Sequence, residues 1–157
     1  DIEMNLKLYP PFVALPFIEL IILSAYYLLP PIQLFSFTTI IGSFIIVFAL
    51  IIFIEASRAI KKHKTTIFPD GVPTFLVQEG IFKFSRNPIY LAMMILMIGI
   101  SVVCQNIAGL VFPVIFYSWI NKRWIFEEER NLKKAFGKKY LDYCTKVPRW
   151  FSLPFKK

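Results

Sequence analysis

Residues 34–54 run for 21 positions without a charged side chain, and no other feature constrains the fold as strongly. Coiled as an α-helix at 1.5 Å per residue, the run reaches about 31 Å, the depth of a bilayer's hydrocarbon core. Three more apolar runs accompany it. Phe12 to Leu29 ends at Pro30-Pro31, while Pro88 to Cys104 and Ile107 to Ile120 are parted only by Gln105-Asn106. That two-residue break reads as the tip of a helical hairpin. The first run is too long, and lacks the small-residue cleavage site, for a signal peptide. Charged residues make up 18% of the chain and hydrophobic ones 57%. A soluble domain carries about 25% charged residues. A disordered chain, a disulfide scaffold and a water-soluble enzyme are therefore poor readings.

The net charge of +8 is placed unevenly. No Lys or Arg lies between Lys7 and Arg58, or between Arg86 and Lys122. Six basic residues fall from Arg58 to Arg86, eleven from Lys122 onward, and none at 30–33 or 105–106. Basic flanks beside bare apolar runs suit a membrane protein, not a nucleic-acid groove. The same asymmetry puts both termini, the 55–87 loop and the tail in the cytosol. The expected fold is an all-α integral membrane protein with one membrane domain over 1–157. Its four transmembrane helices are expected at about 12–29, 34–54, 88–104 and 107–120, with a cytosolic cap made of 55–87 and a helical tail, 121–157. A bacterial cytoplasmic membrane is the expected location. Arg58, Lys61, Lys62 and Lys64 are expected to meet anionic headgroups. Cys104 and Cys144 fall on opposite sides in this topology, so no disulfide is expected. With His63 the lone histidine, no metal site is expected either.

Within the tail, Trp124, Glu128, Leu132 and Phe136 recur at four-residue steps on one helical face. Gly137 suits the end of that helix. A second helix is expected over 138–146, with Tyr140, Leu141 and Tyr143 inward and Lys138 and Lys139 outward, stopped by Pro148. Glu129 with Lys133, and Glu127 with Arg130, are spaced to pair. Glu128 shares an apolar stripe, where a carboxylate needs a cation or a hydrogen-bond donor. A local salt bridge or a snorkelling side chain would satisfy it without function. Ahead of the third run, Asn87 can cap a helix whose first turn holds Pro88. Alone, these two are a polar cap with nothing bound. Glu19 is an acid inside an apolar run, a functional candidate by default. Its bland alternative is an ion pair with Arg58 or a lysine, and Pro16 can kink the helix beside it.

Together the segments say more. Leu76-Val-Gln-Glu-Gly-Ile-Phe-Lys-Phe-Ser-Arg-Asn-Pro-Ile-Tyr90 is followed by the hairpin, then by Glu128-Glu129-Arg-Asn-Leu132, Phe136-Gly137, Tyr140, Tyr143 and Val147-Pro148. This order resembles the isoprenylcysteine carboxyl methyltransferase family and its broader bacterial relatives, over about residues 58–150. The resemblance implies an integral membrane enzyme that uses S-adenosylmethionine, held by the cytosolic cap. By residue match, Leu76, Val77, Phe82, Asn87, Pro88 and Tyr90 would line the cofactor pocket, and Glu128 would be its polar anchor. Arg123 and Glu19 are the substrate-side expectations. Three positions depart from the family pattern. Asn87 stands for a histidine and Ala92 for a glycine. Trp124 stands for the arginine that meets a prenylcysteine carboxylate, with Arg123 one step, about 100°, aside.

Methyl transfer from a sulfonium needs position and electrostatics more than protein chemistry. An anionic acceptor would gain from a dry site. An amine or thiol acceptor would need a proton acceptor, for which His63, Tyr90 and Glu19 are the named candidates. The acceptor stays open among a prenylcysteine analogue, a phospholipid amine, another lipophilic carboxylate and a small thiol. An NADPH-dependent reductase of the sterol type and a non-catalytic small membrane protein are the competing classes.

Overall fold

The computed structural model describes residues 10–28, 36–64 and 73–152. The expected turn at 30–33, the middle of the 55–87 loop and both chain ends lie outside the described residues. Helix α1 spans Pro10–Leu28, α2 Phe37–Lys62, α3 Pro88–Val103, α4 Val111–Ile120, α5 Phe126–Phe136 and α6 Lys138–Lys146. Short 3-10 turns occupy Gly80–Lys83 and Ala108–Leu110, and Asn121–Ile125 forms a π turn. Among the described residues there is no strand. Helix α2 is long and apolar enough to cross a membrane, while Phe12–Leu28 and Pro88–Val103 are apolar but shorter.

Helix α2 starts at Ser36, whose Oγ accepts the Thr39 N–H at 3.2 Å. It continues eight residues past the expected end at 54, through the start of the expected loop. No breaker stands between Glu55 and Lys62, and Glu55 pairs with Arg58 at 2.9 Å. Lys61 and Lys62 sit in the last turn, where the helix dipole favours cations. Glycines bring α2 against α3. A Cβ added at Gly42 would meet the Val103 backbone nitrogen at 2.7 Å, and one at Gly99 would meet that of Ile46 at 3.0 Å.

Helix α1 buries Val13, Ala14, Ile21 and Ala25. Val13 and Ile21 join Tyr90, Met93, Met97, Phe116, Ile120 and Ile125 in the central core. The hairpin turn ties α1 in place. Buried Asn106 donates to the Ile21 carbonyl at 3.2 Å and to Ser24 Oγ at 2.8 Å, and accepts from the Gly109 N–H at 2.9 Å. Outward, α1 and α2 expose Leu15, Leu20, Phe44, Phe48 and Ile51. A soluble protein rarely leaves so continuous an apolar surface bare.

The tail folds back over the entry to α3. Gly137, at φ +52°, turns the chain between α5 and α6. Tyr140, Tyr143 and Val147 pack with Leu76, flanked by Leu132 and Phe136. Leu141, expected inward, is 45% exposed. With Tyr140 and Tyr143 inward, its position on so short a helix falls on the outer side. Beyond α6, the Arg86 N–H donates to the Pro148 carbonyl and the Ser152 N–H to the Phe84 carbonyl, both at 3.0 Å. The segment 147–152 thus straps 84–86 to the cap.

Candidate functional site

Pro88 occupies the first turn of α3, where its missing N–H leaves no hydrogen bond unmade. Asn87 precedes it, but its side chain does not cap the helix. Its Nδ2 donates instead to the Arg149 carbonyl at 3.1 Å, and its backbone N–H donates to Ser85 Oγ at 3.1 Å. The strap has taken the side chain that the isolated helix would have used. One turn on, Tyr90 is 4% exposed and donates from Oη to Glu128 Oε2 at 3.2 Å.

Glu128 is half-buried and has no ion pair among the described residues. Desolvation pushes its carboxyl up to about 7; the Tyr90 hydrogen bond opposes this, and the Glu129 charge adds to it. Glu129 behaves differently. It lies between two guanidiniums, with Arg86 Nη1 at 3.0 Å and Arg149 donating from Nε at 3.0 Å and from Nη2 at 2.5 Å. The expected partner Lys133 is therefore displaced, because the strap brings Arg149 to the buried side of α5. Glu127 and Arg130 do pair, at 3.4 Å. The hydrogen bonds that Arg149 donates to Glu129 also hold its guanidinium above the usual arginine range.

Arg86 has further partners. Its Nη1 donates to Tyr140 Oη at 3.1 Å and to Cys144 Sγ at 2.7 Å. Its Nε is buried and has no hydrogen-bond partner among the described residues. Tyr143 Oη donates to the Phe82 carbonyl at 2.6 Å. Burial pushes both tyrosine hydroxyls above their ordinary range. Leu76 packs on α6, whereas Val77 and Phe82 pack with Ala56 of α2. These three brace the segment leading into α3, while Tyr90 and Glu128 meet directly.

The other expected site residues lie elsewhere. Arg123 is exposed, with no ion pair or hydrogen bond among the described residues. Trp124 is half-buried and packs on the central core. The π turn explains part of this arrangement, since its bonds close at i→i+5. Trp119 and Trp124, five residues apart, stand with ring centroids at 5.0 Å. Glu19 is exposed on the outer side of α1, away from Tyr90 and Glu128. Its expected partner Arg58 is held by Glu55. His63 is engaged at the end of α2. It meets Glu79 at 2.9 Å and stacks on Phe75, with centroids at 4.1 Å. Lys62 also donates to Glu79, at 2.7 Å. Hydrogen bonds from Lys62 and His63 hold Glu79 down to about 2.

A cavity of about 370 Å³ opens between α1 and α4, lined by Val13, Pro16, Phe17 and Trp119. Trp119 contacts Phe17 at 6.1 Å and Trp124 at 5.0 Å. Trp124 packs in turn on the core that holds Tyr90. Aromatic side chains therefore run from the apolar opening to the core that holds Tyr90.

Sequence reasoning missed the clamp of Arg86, Glu129 and Arg149. Its signal was the doubled acid, because neighbouring residues on a helix face about 100° apart and cannot share one partner. Nothing local marks Arg149, which is brought in by the strap alone.

A half-buried acid under a basic cap, at the head of an apolar bundle with a membrane-crossing helix, defines a helical membrane protein with a polar cap site. The chain belongs to the phospholipid methyltransferase family, whose model matches residues 37–139. It is similar to protein-S-isoprenylcysteine O-methyltransferase B of Arabidopsis thaliana, with 35% identity over 74 residues, covering 46% of this chain and 37% of that protein. The mouse protein-S-isoprenylcysteine O-methyltransferase is 36% identical over 83 residues, 52% of this chain and 28% of its own. That of Schizosaccharomyces pombe is 32% identical over 96 residues, 60% and 36% of the two chains. The matched part of this chain thus spans well under half the length of these relatives.

Proposed function

We propose that this chain is an integral membrane methyltransferase that uses S-adenosylmethionine and methylates a lipophilic acceptor. The observation that carries the reading is Glu128: a half-buried carboxyl, raised to about 7, held by Tyr90 and left without a cation. A cationic donor would supply that missing charge. Arg86 Nε, buried and unpartnered, offers a donor for the carboxylate of the same zwitterion. The residues present therefore fit the cofactor.

When bound, S-adenosylmethionine supplies a methyl group already activated on its sulfonium. Glu128 would hold the cationic side of the donor, and Tyr90 fixes the orientation of Glu128. Asn87, Pro88 and the 147–152 strap exclude water from above. The opening between α1 and α4 admits the acceptor's apolar part from the bilayer. The relatives are named for O-methylation of isoprenylcysteine, and a lipophilic carboxylate is the acceptor class proposed here. Such an acceptor needs no proton removed, and neither His63 nor Glu19 stands beside Tyr90 and Glu128 to remove one. Its charge is neutralised during transfer, so a dry site favours the reaction. Arg123, exposed and without an ion pair among the described residues, is the cation proposed to draw it in. Four spans, a cytosolic cap, cytosolic termini and a bacterial cytoplasmic membrane belong to the same proposal.

Calorimetry on purified protein in detergent tests the reading. Saturable binding of S-adenosylmethionine, lost in Glu128→Ala with the fold intact, is expected. Binding of NADPH alone would overturn it in favour of a reductase. Radiolabelled methyl donor with membrane lipid extracts and a prenylcysteine analogue then tests the acceptor class.

A further inference from the structure

Helix α4 rises from the hairpin tip towards the cap. Phe126 stands about 20 residues beyond Asn106, or about 30 Å at 1.5 Å per residue, so it arrives at the far boundary of a hydrocarbon core. One side of this ascent is bare. Val114 and Tyr117, one turn apart, are exposed on it. The Asn121 amide donates back to the Tyr117 carbonyl at 2.9 Å, and Phe126 follows Asn121 at the five-residue step of the π turn. Trp119 and Trp124 show that this step brings side chains together. The tail meets the same side. Trp150 of the strap lies with its ring centroid 5.0 Å from that of Tyr117 and packs on the central core. An indole from the cap thus reaches below the level that Phe126 marks. Beside it Phe151 is 58% exposed, and Phe126 is 66% exposed.

We infer that the 147–152 strap is seated in the cap-side leaflet of the bilayer, where Phe151 and Phe126 contact phospholipid and Trp150 pins the strap to α4. The inference rests on the proposed reading of α4 as a membrane span. Three observations select a lipid surface as the partner. The first is depth, because the strap touches α4 at Tyr117 and not at a residue beyond the boundary. The second is chemistry. Tryptophan and tyrosine rings favour the layer between acyl chains and headgroups, and exposed Lys122 can reach lipid phosphate from there. The third is continuity. The flank runs on downward through Val114 with no charge, as an acyl chain alongside it requires. The strap also carries Arg149, paired with Glu129, and its Pro148 and Arg149 carbonyls hold Arg86 and Asn87. Seating it in lipid keeps these contacts closed around the cap.

Photocrosslinking of full-length protein in phosphatidylcholine–phosphatidylglycerol liposomes tests the docking. p-Benzoylphenylalanine is placed at one position at a time and the adducts are identified by mass spectrometry. At Phe44, exposed on α2, it reports insertion of the bundle. Phospholipid adducts are expected at Phe44 and Phe151, and none at Leu141, which is exposed on α6. Lipid captured at Phe44 but not at Phe151 overturns the inference and leaves the membrane reading standing. Adducts of Phe151 with another protein chain, or equal capture at Leu141, also overturn it. Loss of capture at Phe44 as well brings down the membrane reading, and the inference with it. If the label at Phe151 prevents folding, the same label at Phe126 decides by the same outcomes. Phe151→Glu, which sets a charge in the leaflet, is expected to raise tryptic cleavage after Arg149 in liposomes about tenfold. Phe151→Trp is expected to keep wild-type protection, and unchanged cleavage in Phe151→Glu counts against the seat.

Discussion

Tyr90 Oη donates to Glu128 Oε2 at 3.2 Å, joining the first turn of α3 to the first turn of α5 across 38 residues of chain. The bond links the apolar bundle to its polar cap at the point where the bundle's core ends. Tyr90 is buried and Glu128 half-buried, so each depends on the other. The consequences for binding and stability can be measured separately.

Tyr90→Phe removes the donor but keeps the ring in the core. A hydrogen bond to a charged group is worth about 1.5–3 kcal/mol, so affinity for S-adenosylmethionine is expected to fall about 10- to 100-fold. Glu128→Gln is expected to cost at least as much. Calorimetry at pH 8 checks both, with thermal unfolding to confirm that each variant is folded.

The raised Glu128 carboxyl sets a pH dependence. Below about 7 it keeps its proton, and a cationic ligand must displace it. Affinity for the donor is expected to rise about tenfold per pH unit up to about 7 and then level off. Donor-free stability runs the other way. A folded-state value above the ordinary carboxylate value means that stability falls as pH rises from about 4.5 to about 7. Glu128→Gln is expected to lack both slopes, which binding and melting curves between pH 5 and 8 will show.

The Arg86–Glu129–Arg149 clamp holds the strap. Glu129→Leu leaves the Arg86 guanidinium buried beside an apolar side chain. The expected loss is about 3 kcal/mol of stability, measured by unfolding in detergent. Arg149→Ala leaves Arg86 paired with Glu129 and is expected to cost less. Protease cleavage near residue 150 should then rise faster than the melting temperature falls.

The contact between α2 and α3 has no room for a side chain at Gly42. Gly42→Leu is expected to destabilise by about 1–3 kcal/mol, because the neighbouring atom is backbone and cannot turn aside. Gly137→Ala meets open space but would hold alanine at φ +52°. At ψ −124°, outside the left-handed helical region, it is expected to cost about 1–3 kcal/mol through backbone strain alone. Melting curves of the two variants distinguish crowding from strain.

Narrowing the opening between α1 and α4 separates acceptor from donor. Pro16→Trp, at an exposed residue of the lining, is expected to reduce turnover of a lipophilic acceptor more than tenfold and leave donor binding unchanged. Unaltered turnover would remove this opening from the acceptor's path.

Apolar runs and turn residues made most helices legible. Pro88 and Gly137 mark boundaries that the structure keeps, since each acts through its own backbone. The end of α2 was less legible. A charge at Glu55 reads as the edge of a bilayer, yet the helix there is carried on by Ala56, Arg58 and Ala59 with no breaker. Tyr90 and Glu128 could be named from their motifs, but their contact requires the tail to fold back over α3. Asn87 shows the limit of local reasoning. Its sequence position makes it a cap, and a carbonyl 62 residues away takes its side chain instead. The stripe of Trp124, Glu128, Leu132 and Phe136 is half-buried throughout, although the segment at its start widens into a π turn.

That widening couples the two halves of the molecule mechanically. Helix α4, the π turn and α5 run on without a break from Val111 to Phe136. Deleting a single residue between Asn121 and Ile125 would tighten the turn and rotate the far end by about 100°, swinging Glu128 away from Tyr90. By the same leverage, a change in the tilt of α4 is expected to shift the acid at the other end.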